Sequence, residues 1–221
     1  MRRGAGVKVR ALLMLVLSCS LSACAGSLFK TKVAPPTMYL LSIAPSSAAA
    51  AGGSAQQADL PFDLAVLKPR VRAGLDTDRI AALYPDRRLD YFADARWSGP
   101  LDEVIQDLVV QQFHSRAGLR NVSGDASAFA SAYWLEIEVA DFQAEYADGG
   151  APPTVHVHLL ARIGSSGERR IIGRFQADAR QPAAANRLSA VVDAYDRAAN
   201  EALIQIAAGC AAALAPDSKS H

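Results

Sequence analysis

Three consecutive segments of alternating polarity, between residues 133 and 176, constrain the fold of this chain more than any other feature. Two Gly-containing turns separate them, at residues 148–150 and 165–167. Apolar residues occupy every second position in the first two segments: Tyr133, Leu135, Ile137 and Val139, then Val155, Val157, Leu159 and Ala161. Such alternation predicts half-buried strands, and the short turns predict an antiparallel meander that ends with residues 170–176. A break in phase at residues 141–142 predicts a β-bulge.

Two segments have the periodicity of amphipathic helices. The first follows Ser98-Gly99-Pro100, which is a helix start signal, and we expect it to end at Gly118, before a loop at residues 121–127. Its apolar positions follow i, i+3, i+4 spacing: Leu101, Val104, Ile105, Leu108, Val109 and Phe113. The second is a long Ala-rich segment from Asn186 to Leu214. Each helix has one apolar face to bury.

The first half of the chain predicts further strands. We expect strands at residues 38–43, at 62–72 with an interruption at Pro69, and at 79–84 and 89–97, which form a hairpin. Residues 46–59 are rich in Ala, Ser, Gly and Gln and predict a flexible loop. The order of elements indicates an α+β fold, with a mostly antiparallel sheet of about six to seven strands and two amphipathic helices on one face.

The amino-terminal segment has the pattern of an export signal. Residues 1–10 are basic, residues 11–17 begin an apolar stretch, and small residues lead to Leu21-Ser22-Ala23-Cys24. The last four residues resemble the bacterial lipobox, in which the cysteine receives a diacylglyceryl group. The sequence therefore predicts a cleaved signal peptide at residues 1–23 and a lipid anchor on Cys24. The alternative is an ordinary signal peptide cut near Ala23 or Ala25, with Cys24 incidental.

Cleavage changes the charge and the cysteine content of the mature chain. The signal peptide holds four basic residues and no acidic ones, so its removal takes the net charge from +1 to −3. This balance argues against a nucleic-acid binder. After cleavage, Cys210 would be the one remaining free thiol.

We expect a lipidated tether at residues 24–36, with a reach of about 40 Å, one domain at 37–215 and a polar tail at 216–221. Ala25 follows the cysteine in place of the Asp typical of inner-membrane retention, which favours the outer membrane.

No catalytic motif occurs in the sequence. The chain lacks G-x-S-x-G, H-E-x-x-H, C-x-x-C and a Gly-rich phosphate loop, so we expect no enzyme activity, no cofactor and no metal. His156-x-His158 places two imidazoles on the same face of a strand. Two interpretations are open: a metal site, for which the signal is weak, and a solvated strand face. Asp76-x-Asp78 resembles the start of a calcium loop, but Arg87 stands where the closing Glu would be, so a turn is favoured.

Several motifs in order resemble the ABC-type transport auxiliary lipoprotein family, the PqiC-like lipoproteins that accompany MCE-domain lipid transporters. After the lipobox and a Tyr-Leu-Leu strand come Leu67-Lys68-Pro69, Gly74-Leu75-Asp76-Thr77-Asp78-Arg79-Ile80, Tyr91-Phe92, Trp97 and the helix from Pro100. The resemblance runs from Tyr39 to Leu214, and its most specific part is residues 74–80 with Trp97. The insert at residues 46–58 departs from the family pattern.

The resemblance implies a non-catalytic periplasmic subunit of a lipid or organic-solvent transport system. Its partners would be a periplasmic MCE-domain protein together with an ABC permease and an ATPase, and a ring-shaped homo-oligomer is consistent with such partners. We hypothesise that the protein docks the MCE component at the outer membrane. The rival hypothesis is an outer-membrane lipoprotein that acts as an envelope assembly or scaffold factor unrelated to transport.

Four residues are candidates for a partner interface. Arg79, Tyr84, Tyr91 and Trp97 are of the types favoured at interfaces, although core packing explains Tyr91 and Trp97 equally well.

Overall fold

A computed structural model of the chain describes residues 35–43, 60–115, 119–124 and 131–215. Within these ranges the elements, in chain order, are β1 (Thr37–Tyr39), β2 (Leu60–Val66), β3 (Arg70–Val71), β4 (Arg79–Leu83), β5 (Leu89–Trp97), α1 (Leu101–Ser115), β6 (Leu119–Ser123), β7 (Tyr133–Glu145), β8 (Thr154–Ser165), β9 (Arg170–Pro182) and α2 (Leu188–Leu214). The predicted signal peptide, the flexible loop at residues 46–59 and the polar tail lie outside the described residues.

The 13-residue strand β7 organises the sheet. One of its edges pairs with β8 in antiparallel fashion along its length, and β8 in turn pairs with β9. Its other edge pairs in succession with β2, β3 and β4, all parallel to it. Beyond these short strands, β6 pairs with β2, and β5 and β1 follow β4. A single long strand thus joins both halves of the chain.

The expectation of a mostly antiparallel sheet is wrong, because the sheet is mixed. Of its pairings between described strands, only β4–β5, β7–β8 and β8–β9 are antiparallel. The antiparallel expectation rested on short turns between neighbouring strands. Helix α1 instead separates the first five strands from β7, and a connection of this length lets the chain return in the same direction.

The strand count also exceeds the predicted six to seven, since the described part of the sheet has nine strands. Pro69 divides the predicted strand at residues 62–72 into β2 and β3. The predicted loop at residues 121–127 overlaps β6, which exists because Asp63, Leu64 and Ala65 pair with Asn121, Val122 and Ser123. That pairing joins residues far apart in the chain, so local polarity did not reveal it.

Other predicted features are confirmed. Strands β4 and β5 form the antiparallel hairpin, and a register shift between Val139 and Asp141 is the predicted bulge. The bulge returns Phe142 and Ala144 to the core face after Val139, and both are buried. In the turn before β8, Gly149 and Gly150 have φ angles of 92° and 73°, which glycine adopts without strain. Both predicted helices are present, and the fold is of the α+β class.

The helices and the apolar side chains of the sheet share one core, and α1 contacts α2. At its centre, the ring of Tyr195 from α2 makes edge contact with Trp97 at a centroid distance of 5.1 Å and also lies 5.1 Å from Phe142. The Tyr195 hydroxyl donates a 2.7 Å hydrogen bond to the carbonyl of Ala81 in β4. This aromatic cluster therefore ties the last helix to β4, β5 and β7.

Candidate functional site

The side of the sheet that faces away from the helices is covered with charged side chains. They occupy the alternate positions of β7, β8 and β9 that do not point into the core. On β7 and β8 these are Glu136, Glu138, Asp141, Glu145, His156, His158 and Arg162, and on β9 they are Arg174, Asp178 and Arg180. Strand alternation places them together, since cross-strand neighbours share a face. We call this surface the polar face.

Arginines and carboxylates pair across strands at one end of the polar face. Arg70 lies 2.7 Å and Arg162 lies 2.8 Å from the carboxylate of Glu136. Arg72 hydrogen-bonds to Asp141 at 2.9 Å. These pairs connect β3, β7 and β8. Because the arginines are partly exposed, each pair contributes at most about 1 kcal/mol to the free energy of unfolding.

His156 is the buried titratable side chain at the other end, with 6% of its surface exposed, and it lies opposite the buried amide of Gln143 on β7. Its Nδ1 lies 3.0 Å from Glu145 and its Nε2 lies 3.2 Å from Asp178. Burial raises the pKa of Glu145, but hydrogen bonds from Arg180, Gln143 and His156 outweigh it, and the pKa is lowered. The hydrogen bond from His156 is the main cause of a lowered pKa at Asp178.

The two histidines lie on one face, as their spacing predicts, with parallel rings 6.2 Å apart. Each nevertheless faces carboxylates, since His158 Nδ1 lies 3.5 Å from Asp141. The described residues contain no group of three or more side chains arranged to hold a metal ion. His156 and His158 therefore lie among the carboxylates of the polar face, and His156 is buried there rather than solvated.

A cleft of about 580 Å³ lies at the end of the polar face where Arg70 and Arg162 pair with Glu136. Its lining combines the exposed side chain of Leu160 with several charged and polar ones: Arg70, Glu136, Glu138, Arg162, Arg174 and Gln176. Arg162 and Arg174 are direct cross-strand neighbours. Arg162 is paired with Glu136, whereas Arg174 has no ion-pair partner among the described residues. Like charges opposite each other on neighbouring strands are unfavourable, so Arg174 marks a local excess of positive charge.

Three of the predicted interface residues are exposed or half-buried on the β4–β5 hairpin. The guanidinium of Arg79 lies 4.1 Å from the ring centroid of Tyr91, and the Tyr91 hydroxyl donates to the carbonyl of Gly74 at 2.7 Å. Tyr84, at the hairpin end, stacks on Tyr146 at 5.1 Å. Arg79 and Tyr91 are thus adjacent, whereas Tyr84 stacks on Tyr146, which follows β7.

Trp97, the fourth candidate, is only 1% exposed and lies within the aromatic cluster of the core. Of the two explanations that the sequence left open, core packing describes its position in the folded chain.

The Gly74–Ile80 segment, which carries much of the family resemblance, holds α1 and β5 in place. Gly74 has a φ of 89°, and the carbonyl of Asp78 accepts a 2.7 Å hydrogen bond from the backbone of Trp97. The backbone of Leu101 donates to the carbonyl of Thr77. The Asp78 carboxylate accepts from Arg96 at 2.7 and 2.9 Å. This arrangement favours the turn over the calcium loop for Asp76-x-Asp78.

The two cysteines of the predicted mature chain differ in position. Cys24 lies outside the described residues, and Cys210 is a free thiol, 1% exposed, on the inner face of α2. Burial raises the pKa of Cys210 to about 12. A thiol in this state is not a nucleophile at neutral pH.

Among the described helices, none has the length and apolar character that a transmembrane span requires.

The chain belongs to the family of ABC-type transport auxiliary lipoprotein components, whose model matches residues 39–207. This match confirms the resemblance noted in the sequence and classes the protein as a lipoprotein of the cell envelope that is associated with ABC-type transport. No protein with a curated description matches the chain significantly.

Solved structures share the fold. A crystal structure of a protein from Xanthomonas campestris is 21% identical, with a TM-score of 0.70, over 83% of this chain and 100% of that one. A crystal structure of an uncharacterized protein is 14% identical, with a TM-score of 0.59, over 79% of this chain and 98% of that one. At these identities the likeness concerns the fold.

Sequence reasoning missed the polar face as a unit. The alternation of β7 and β8 identified the outward positions, but the cross-strand register that brings Glu136 beside Arg162 and Arg70 was not readable from it. The signal that was present is the polar residue at every second position of residues 174–180: Arg174, Gln176, Asp178 and Arg180.

Proposed function

We propose that the protein is a non-catalytic lipoprotein subunit of an ABC/MCE-type lipid or organic-solvent transport system. It is anchored through Cys24 to the periplasmic face of the outer membrane and docks the periplasmic MCE-domain component there. The observation that carries this proposal is the family match over residues 39–207, combined with the lipobox that ends at Cys24.

The anchor follows from physical chemistry. Burial of an acyl chain contributes about 0.8 kcal/mol for each CH₂, and one chain anchors only marginally, so the several chains of a lipoprotein cysteine hold a domain at a membrane permanently. Energy for transport would come from the ABC partners, because the sequence contains no ATP-binding motif.

The β4–β5 hairpin is the surface that we propose for docking. Arg79 is exposed, Tyr91 is half-buried beside it, and Tyr84 is half-buried at the other end of β4. Arginine and tyrosine are enriched at the centre of protein interfaces, since they combine a large contact area with hydrogen-bonding capacity. Trp97, the last residue of β5, would act from the core by holding that strand of the hairpin in position.

The test is a pulldown of the full chain from detergent-solubilised envelopes, compared with Cys24→Ala and Arg79→Glu. The native protein should fractionate with the outer membrane and recover MCE and permease subunits. Cys24→Ala should appear in the soluble fraction, and Arg79→Glu should stay in the membrane but lose the MCE subunit. Arg187→Glu makes the same charge change at an exposed site before α2 and should behave as the native chain.

Recovery of outer-membrane assembly factors without any transport subunit would favour the rival scaffold role and contradict the transport proposal. Unchanged membrane retention of Cys24→Ala would contradict acylation independently of the partner.

A further inference from the structure

Strand β9 is an edge strand of the described sheet, because it pairs only with β8. In an antiparallel pair, alternate residues direct both backbone groups towards the partner strand or away from it. Two contacts establish which residues of β9 direct their backbone groups away from β8. The side chain of Gln205 bonds to the backbone of Asp178, and Arg197 donates to the carbonyl of Pro182 at 3.0 Å. By alternation, Arg174 and Gln176 also direct their backbone groups outwards.

Helix α2 closes one half of this edge. The Gln205 amide accepts from the backbone N–H of Asp178 at 3.1 Å and donates to its carbonyl at 3.3 Å. It thereby occupies both groups that a neighbouring strand would use. With Arg197 on the Pro182 carbonyl, α2 occupies outward backbone groups at two positions of the carboxyl-terminal half of β9, which hinders further pairing there.

In the other half, Arg170–Gln176, α2 packs on the core face at Gly173 and Phe175, and the outward backbone edge stays open. The outward N–H and C=O groups of Arg174 and Gln176 have no partner in the described part of the chain, and both side chains are exposed. Positive charge dominates here: Glu168 pairs with Arg170, while Arg174 lies beside Arg162 and lacks a carboxylate among the residues described. We call Arg170–Gln176 the open half-edge.

We propose that the open half-edge binds an extended acidic segment of a partner protein by strand addition. The segment pairs with the outward backbone groups of Arg174 and Gln176, and one of its carboxylates reaches Arg174 on the polar face. Strand addition supplies affinity through backbone hydrogen bonds, and the side chains supply selectivity. Gln205 limits the length of the site, because its side-chain amide occupies the backbone groups of Asp178 and so prevents the added strand from pairing there.

Charge favours a partner over a second copy of this chain. Antiparallel self-pairing centred on Gly173 would bring Arg174 of both copies and both Arg170 side chains to one edge. The Glu168 carboxylates are already paired with Arg170, and Glu136 is already paired with Arg162 and Arg70. The proposed site does not depend on the transport role, since it follows from the backbone and charges of β9.

The test measures peptide binding to the full-length lipidated chain in detergent. The probe is a fluorescent ten-residue peptide that alternates Glu with Val and Thr, and its control has Lys in place of Glu. We expect saturable binding of the acidic peptide by fluorescence anisotropy, at least tenfold tighter than the Lys peptide. Bound acidic peptide should slow hydrogen exchange at the amides of Arg174 and Gln176 but leave Asp178 unchanged.

Two variants test the site itself. Gln176→Pro removes an outward N–H without removing a bond to β8, a position where edge strands tolerate proline, and should weaken binding at least tenfold. Arg174→Glu should also weaken binding at least tenfold, because the new carboxylate repels the acidic peptide, while the fold is retained. The control variant Arg187→Glu should bind the peptide as the native chain does.

Failure of the acidic peptide to bind, or equal binding of the Lys peptide, would overturn the proposal. So would self-association of the chain that Gln176→Pro abolishes in sedimentation, because the occupant of the edge would then be a second copy.

Discussion

Tyr195 shows how much a single residue contributes to this fold. Its ring is completely buried between Trp97 and Phe142, and its hydroxyl satisfies the carbonyl of Ala81. Burial raises the pKa of Tyr195 well above its ordinary value, so the hydroxyl stays protonated and donates. In the sequence, Tyr195 is one position within the Ala-rich segment from Asn186 to Leu214. Its hydrogen-bond partner, 114 residues away, depended on the tertiary structure.

Replacement of Tyr195 by Phe should lower the free energy of unfolding by about 1–2 kcal/mol. The ring packing is retained, but the buried Ala81 carbonyl loses its donor. Urea denaturation followed by fluorescence measures the change. Tyr84→Phe is the matched control, since Tyr84 is only half-buried, and it should shift stability by less than about 0.5 kcal/mol. Equal effects of the two substitutions would contradict this account.

At the scale of elements, α2 and β9 fit together through a glycine. Gly209 lies over the ring of Phe175, and a Cβ at this position would come within 2.6 Å of ring atoms. The sequence predicted the helix and its apolar face correctly from i, i+3, i+4 spacing. The need for a residue without a side chain at position 209 came from the neighbouring strand, which periodicity does not describe.

Gly209→Ala should destabilise the protein by about 1–3 kcal/mol, although alanine is the better helix former by about 1 kcal/mol. The clash with the Phe175 ring outweighs the gain in helix propensity. Thermal unfolding measures the effect. Phe175→Leu in the same chain should remove most of the penalty of Gly209→Ala, whereas an equal penalty in both backgrounds would show that Phe175 is not its cause.

At the scale of the whole molecule, the polar face links β7, β8 and β9 through ion pairs and so makes stability depend on pH. Glu145 and Asp178, from the two outer strands of this set, both contact His156 on the middle one. Both carboxyl pKa values are lowered in the folded chain. A carboxyl with a lowered pKa stabilises the fold above its ordinary pKa and loses that contribution as the pH falls through its folded value.

The urea midpoint of the native chain should therefore fall as the pH drops below about 4.5, the ordinary pKa of Glu145. In Glu145→Gln this acid dependence should be weaker, because the unfolded chain no longer takes up a proton at that position. Glu168→Gln, at an exposed turn, should keep the native profile. Identical acid profiles for Glu145→Gln and the native chain would contradict a stabilising role of this carboxylate.

The amino-acid sequence by itself determined the helices, the hairpin, the meander with its bulge and the family. These depend on local periodicity, turn residues and motif order, which are readable along the chain. The parallel pairing of β7 with β2, β3 and β4, the strand β6, the buried position of Trp97 and the half-closed edge of β9 were decided by the tertiary structure. The physical reason is that each depends on hydrogen bonds or packing between residues far apart in the chain, and no local pattern records which distant segment a strand will meet.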